Sequence, residues 1–338
     1  MAPQNQAAWL DGKDKKLRVA DSEYPRPGAD DIVVRVHATA VNPIDWKIQD
    51  SGRFIKEWPM ILGCDAAGEV VEVGSNVQRF KKGDRVTGHA ISLATNDPTN
   101  GSFQLYVKLQ AAKSAILPEK ISYVHGSVLP LAVDTAAVGL FAKESLALPS
   151  PSLNPKSSGK IAVVWGGSSS VGALAIQLAA ASGTKTIAVA SSRNHDFVKG
   201  LGADQAFDYK SGSVVRDVVK AVKDSGLEFA GVYDAISIQD QSLKYTVPIL
   251  EQLGGGVLAV TLAPPQEKPD SIKPYGIFAI NDMVHTLWEN YVTKALEEGK
   301  LKAVPEPLVI GKGLESVQKG LDKNKAGVSA KKVVIDLS

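Results

Sequence analysis

Residues 160–172 read KIAVVWGGSSSVG and run on into ALAIQLAAASG, a β-branched strand passing through small residues into an apolar helix. The core Gly167-x-Ser169-x-x-Gly172 is a G-x-G-x-x-G pattern with serine at the middle glycine. Small residues at such a turn let the backbone approach a pyrophosphate, and the N–H groups opening the helix bind it. The pattern predicts dinucleotide binding by Gly167, Ser168, Ser169, Ser170 and Val171; the plainer alternative is a tight strand-to-helix turn with no ligand. The next strand ends in Ser191-Ser192-Arg193, where an NAD site would carry Asp or Glu for the ribose hydroxyls. Two hydroxyls and a forked guanidinium suit a 2′-phosphate, so NADPH is the expected cofactor. Tyr209, just after the third strand, can add its hydroxyl there; otherwise Arg193 and Tyr209 are ordinary surface residues.

Metal chemistry has little to work with. The only cysteine is Cys64, which excludes an intrachain disulfide and a cysteine-built zinc lobe. The histidines at 37, 89, 125, 195 and 285 show no ligand spacing.

The elements that position these residues fall into two styles. Segments 31–40 and 66–73 alternate apolar and polar residues, and Gly83-Asp84-Arg85-Val86 turns into a further strand, suggesting a small β-barrel. From about residue 125 strands and helices alternate, the sign of a parallel sheet with crossover helices. Strands are expected at 161–165, 185–190, 205–208, 231–234 and 256–262, and helices at 171–182, 195–201, 213–224 and 239–252. The Pro- and Ser-rich stretch 148–158 delivers the chain into the first of these strands. Residues after Pro264-Pro265 read as loop to about 274, followed by an amphipathic helix over 281–299 and a closing strand at 331–337.

Composition is that of an ordinary globular protein: 338 residues, 44% hydrophobic and 22% charged, suggest two domains. The 38 Lys and Arg against 36 Asp and Glu leave no basic footprint for nucleic acid. No uncharged apolar run reaches the ~20 residues of a membrane span, and no leader-like apolar region follows Met1. The expectation is a cytoplasmic protein, monomer or homodimer, with a small-molecule or carrier-bound substrate and neither nucleic acid nor membrane as partner.

Several motifs recur in order: Asn42-Pro43-Ile44-Asp45, Ile61-Leu62-Gly63-Cys64-Asp65-Ala66-Ala67-Gly68, Phe80-Lys81-Lys82-Gly83-Asp84-Arg85-Val86, Gly101-Ser102-Phe103-Gln104 and the phosphate loop. Together they resemble the medium-chain dehydrogenase/reductase superfamily, in its quinone reductase-like branch, and most of all the fungal trans-acting enoyl reductases and ToxD-like proteins. The resemblance implies an α/β fold with a GroES-like β-barrel domain (1–125 and 281–338) and a Rossmann doubly wound parallel sheet (126–280). Where the zinc alcohol dehydrogenases carry Cys, His and Cys, this chain has Asn42, Cys64 and Leu131, so the resemblance implies no catalytic zinc.

Without a Lewis acid, simple alcohol oxidation loses its means, whereas hydride transfer to an activated C=C bond of an enone or enoyl substrate does not. The resemblance makes Lys47 and Thr135 the candidate catalytic donors to the carbonyl oxygen. The alternatives are an exposed helix lysine and a threonine bonded within its own helix. It places Asn42, Pro43, Asp45, Thr261, Leu262, Phe278, Ala279, Val328, Ser329 and Ala330 at the nicotinamide end; Asp45 alternatively caps the turn it opens. Mitochondrial-type enoyl reductases carry a tyrosine shortly after the Asn-Pro-x-Asp helix, where this chain has Arg53-Phe54. The closing proton then comes from water or another group. A quinone reductase, or an NADPH-binding accessory protein of a polyketide-type pathway with little activity on free substrates, are the competing expectations.

Overall fold

A computed structural model of the chain describes residues 3–338, so the first two residues of the expected barrel segment lie outside the described part. The chain opens with strands β1 (Asn5–Leu10), β2 (Arg18–Ser22) and β3 (Asp31–Ala40) and helix α1 (Pro43–Ser51). Then come β4 (Met60–Ile61), β5 (Asp65–Val73), β6 (Arg85–His89), β7 (Tyr106–Gln110), β8 (Ser114–Ile116) and α2 (Pro130–Phe141). The alternating part consists of β9 (Lys160–Trp165), α3 (Ser170–Ala181), β10 (Lys185–Val189), β11 (Gln205–Phe207), α4 (Val214–Asp224), β12 (Glu228–Asp234), α5 (Lys244–Gln252), β13 (Gly256–Val260) and β14 (Ile272–Gly276). The chain closes with β15 (Glu306–Lys312), α6 (Val317–Lys325) and β16 (Lys331–Asp336).

Two compact units result. One contains the residues up to Leu131, Trp288–Gly299 and Ala303–Ser338; the other contains Ala132–Leu287 and Lys300–Lys302. The joins therefore fall a few residues later than the expected 125/126 and 280/281.

In the first unit β3 is the hub. It pairs along its length with β5, while on its other edge its first half pairs with β7 and its last residues with β16. With neighbours on both edges and faces, its residues Ile32, Val33, Val34, Val36, Ala38 and Ala40 are all buried. β1 pairs with β2 and β4 in a separate small sheet. Its core gathers Leu10, Ile48, Ile61, Phe103, Val317 and Ile335 from distant parts of the chain. Helix α1 starts with Pro43 at its first position, where the missing N–H is no loss, and stops at Gly52, whose φ of 70° few other residues tolerate.

The second unit is a six-stranded parallel sheet in the order β11-β10-β9-β12-β13-β14. That is the 3-2-1-4-5-6 order of a dinucleotide fold, with its switch point beside β9. Val163, Val189, Val232, Leu250, Leu258 and Val260 fill its core.

Three expectations are corrected. The stretch to 274 is not all loop, because β14 pairs with β13 from Ile272 on. Pro274 is accommodated there because an edge strand has no second neighbour requiring its N–H. The 239–252 helix opens as a wider π-helical turn, Gln239–Leu243, before α5. The expected helix over 281–299 is broken into Asp282–Val284, His285–Leu287, Trp288–Val292 and Thr293–Glu297. The wide turn Trp288–Val292 rephases the side chains so that Trp288, Tyr291 and Val292 are interior, at the point where the chain passes between units. Among the described residues one helical run, Tyr123–Phe141, is long and apolar enough to cross a bilayer, but 78% of its apolar window is buried within the fold.

Phe103 is fully buried in the first unit's core. Phe103→Ala is expected to lower stability by about 3–5 kcal/mol, the cost of a buried aromatic truncated to alanine, as read by urea unfolding.

Candidate functional site

The phosphate loop is built as its sequence suggests. The amides of Gly166 and Gly167 both donate to the Val189 carbonyl, fastening the loop to the end of β10. Ser169 caps α3, its hydroxyl accepting the Gly172 amide at 3.1 Å. A Cβ on Gly172 would lie 2.3 Å from the Gly166 carbonyl oxygen, so the helix can come this close to the loop only with glycine there. The Ser170 hydroxyl is buried with no partner among the described residues. Orphan donors at the N-terminus of a twelve-residue helix, cradled by a loop with no bulky side chain, fit a pyrophosphate.

Around it, Asn194 donates to the Ser168 hydroxyl at 3.0 Å, joining the loop to the short turn that carries Ser191, Ser192 and Arg193. The Ser192 amide donates to Asp208 Oδ2 at 3.2 Å, and the Lys210 amide to Asp208 Oδ1 at 2.9 Å. The backbone bond from Lys210 first, and those from Ser192, hold the Asp208 carboxyl below the usual carboxylate range despite a slight opposing effect of burial. Arg193 is exposed, as is Tyr209.

At the same carboxyl end of the sheet, next to the loop, Ser237 takes a φ of 53° and donates to the Asp234 carbonyl at 2.7 Å while accepting the Thr261 amide at 2.9 Å. Buried Asp234 accepts the amides of Ile236 and Ser237 and the Thr246 hydroxyl. Burial raises its carboxyl, and these bonds oppose the rise. Thr261 is thus held by a network that sequence reasoning missed; Asp at a strand end followed by serine three residues on was its only trace.

The first unit has a polar centre inside apolar surroundings. Lys332 Nζ lies 2.9 Å from Asp65 Oδ2 and also donates to Asn42 Oδ1. The Asn42 amide side chain donates to Asp65 Oδ2 at 2.7 Å, and the other carboxylate oxygen of Asp65 accepts the Leu131 amide at 2.7 Å. Asp45 Oδ2 accepts the Asn42 backbone N–H at 2.7 Å, closing the first turn of α1. Cys64 Sγ lies 3.9 Å from Asp45 Oδ1. Burial, and then the two carboxylates, push the Cys64 thiol well up, so it is a neutral thiol. Burial also pushes Asp45 up to about 7, against the opposing pull of the Asn42 amide.

Asp45 has no exposed surface, so its expected contact with the cofactor is corrected to the capping alternative. Asn42, only 4% exposed, spends both ends of its side chain inside the protein. Pro43 is exposed, and Lys47 is half-buried rather than a free surface lysine, its ammonium 5.6 Å from the Trp46 ring centroid and its pKa lowered by burial. Val328 and Ser329 are exposed and Ala330, at a φ of 49°, leads into β16. In the second unit Thr135 is buried and its carbonyl accepts the Tyr233 hydroxyl at 2.8 Å; Leu262 and Phe278 are exposed and Ala279 half-buried. The structure thus brings Gly167–Val171 and Ser191–Arg193 together in one unit, and Asn42, Pro43 and Asp45 in the other. Lys332, the residue that ties the latter centre together, was missed; a lysine entering an otherwise apolar closing strand was the available signal.

Sequence comparison agrees with this architecture. Residues 28–119 match the alcohol dehydrogenase GroES-like domain and residues 170–286 the zinc-binding dehydrogenase domain. The chain is 47% identical to Dehydrogenase orsE of Emericella nidulans over 98% of this chain and 99% of that one. It is 41% identical to Trans-enoyl reductase himH of Aspergillus japonicus over 99% and 98%. Quinone oxidoreductase from Pseudomonas syringae pv. tomato superposes with a TM-score of 0.73 at 24% identity, covering all of both chains. The chain belongs to the medium-chain dehydrogenase/reductase family, whose members are nicotinamide-dependent oxidoreductases. Zinc, which the name of the second domain implies, does not fit the residues at this centre. Asn42 and Leu131 supply no metal-binding anion, and the Lys332 ammonium already neutralises Asp65.

The raised Asp45 pKa gives a stability prediction. The unfolded carboxyl titrates near 3.8 and the folded one near 7, so between them the folded state holds the extra proton. The stability that the neutral carboxyl contributes is complete below about pH 4 and is lost as pH rises through about 7. Asp45→Asn removes this dependence. Relative to the parent protein, the variant is expected to gain about 2.6 kcal/mol between about pH 5 and about pH 8, at about 1.4 kcal/mol per pH unit until the slope levels off above about pH 7, in urea unfolding at the two pH values.

Proposed function

We propose that the protein is an NADPH-dependent, zinc-independent reductase that transfers hydride to activated C=C bonds of enone or enoyl substrates. The observation that carries this reading is the Lys332–Asp65–Asn42 centre. With an ammonium neutralising Asp65 beside a neutral Cys64 thiol, the centre offers no Lewis acid to polarise a simple alcohol or ketone. Acceptors whose own carbonyl takes up the developing charge remain within reach. The name of the Aspergillus japonicus relative, a trans-enoyl reductase, supports the same choice over quinones.

Bound NADPH would supply the hydride. The α3 N-terminus, with Gly167, Ser168, Ser169, Ser170 and Val171, would hold its pyrophosphate, and Ser191, Ser192, Arg193 and Tyr209 the 2′-phosphate. Thr261, fixed through Ser237, would meet the nicotinamide end. Lys47 is the candidate donor to a carbonyl oxygen in the first unit and Thr135 that in the second; Arg53-Phe54 offers no phenol just after α1, so the closing proton would come from water or another group.

Calorimetric titration with NADPH and NADH tests the cofactor. NADPH is expected to bind at least about tenfold tighter, a gap of about 1.4 kcal/mol, and Arg193→Ala to abolish the gap. Comparable affinity for both nucleotides would overturn the NADPH assignment. NADPH oxidation with a panel of enones and quinones tests the acceptor; turnover of quinones alone would replace the enone reading.

A further inference from the structure

Burying an ion pair rarely stabilises a protein. Desolvating two charges costs about what their attraction returns, and apolar replacements are often as stable. Yet Lys332 is 4% exposed and Asp65 wholly buried, and between them they engage three separate parts of the first unit. The ammonium comes from β16. Asp65 opens β5, and its second oxygen receives the Leu131 amide in the first turn of α2. Asn42 receives the ammonium on its oxygen, donates its own N–H2 to Asp65, and immediately precedes α1. Asp45 then locks the Asn42 backbone. Every polar group of the cluster has a partner, so the start of α1 has one position relative to β5 and Leu131 rather than several.

We propose that Lys332 is a positioning residue of the reductase: its buried charge, shared between Asp65 and Asn42, fixes the start of α1 and hence the placement of Pro43 and Lys47. The inference rests on the proposed reductase reading. It assigns the cluster to geometry rather than to stability, and the two can be separated.

The double variant Asp65→Asn/Lys332→Met removes both charges together. An asparagine at 65 still accepts the Leu131 amide and can exchange a hydrogen bond with a rotated Asn42 side chain. Three quantities are measured beside the parent protein: the urea midpoint, the affinity for NADPH by titration, and kcat and KM for NADPH oxidation with an enone. A fourth needs neither cofactor nor substrate. Cys64, the only cysteine, lies beside the cluster, and its alkylation rate by iodoacetamide reports how firmly the cluster is closed.

The expected result is an unchanged midpoint, NADPH affinity within twofold, kcat at least tenfold lower, and Cys64 alkylation at least tenfold faster. A kcat within twofold of the parent value, or an unchanged alkylation rate, would overturn the proposal. If the parent protein turns over no enone or quinone, the reductase reading fails by itself; faster alkylation in the variant then still supports the positioning claim, and an unchanged rate overturns it. Should the double variant not fold, Asn42→Ser removes only the arm from the ammonium to α1. It is expected to lower kcat and speed alkylation in the same direction, and parent-like values of either would overturn the proposal.

Discussion

A lysine ammonium cannot sit in a protein interior unless something there takes the place of water around it. In the first unit that something is the Asp65 carboxylate and the Asn42 carbonyl, and satisfying Lys332 dictates much of what surrounds it. Asp65 must stand at the inner end of β5. Asn42 must hold its side chain across to it, while the Asp45 carboxyl accepts the Asn42 N–H and closes the first turn of α1. The polarity of the cluster thus follows from one buried charge, and the sequence spacing Asn-Pro-x-Asp is what lets a single turn meet it.

The second unit solves a different problem, binding a large anion without a matching buried cation. Its answer is close backbone packing. Gly172 lets α3 approach the loop so nearly that any Cβ would overlap the Gly166 carbonyl, and the loop then exposes backbone donors rather than side chains. The Asn194–Ser168 bond and the Asp208 bonds to the neighbouring amides extend the same principle to the turn that holds Arg193. Here the side chains brace the backbone, and on the proposed reading the backbone amides take the pyrophosphate.

This difference explains what could be read from the sequence. Local patterns were legible: the strand, glycine loop and helix of residues 160–181 depend on residues a few positions apart, and β3 was bounded at Asp31 and Ala40 because turn residues frame an apolar run. That the sheet is parallel follows from the alternation of elements. What was illegible depends on contacts across long stretches of chain. Asn42 and Lys332 are 290 residues apart, and no spacing rule links them. β14 reads as loop because Pro274 and Lys273 are poor strand formers, and it is a strand only because β13 offers a free edge. The helix over 281–299 has a continuous apolar stripe in sequence, but a change of surroundings at Trp288 splits it.

The electrostatics of the centre bear directly on the chemistry. Lys332 and Asp65 cancel, Cys64 stays a thiol, and Asp45 carries its proton through most of the range below about 7. The cluster is therefore close to neutral, whereas a divalent metal with a water ligand would place a strong positive field there. A neutral centre neither lowers the pKa of an alcohol nor draws electrons from an isolated carbonyl. On the proposed reading, an acceptor would be activated by its own conjugation and by donors such as Lys47, whose pKa partial burial lowers. On the proposed reading, buried charge in this chain has been moved out of the chemistry and into the scaffold. On that same proposal, the division suits activated double bonds rather than alcohols as substrates.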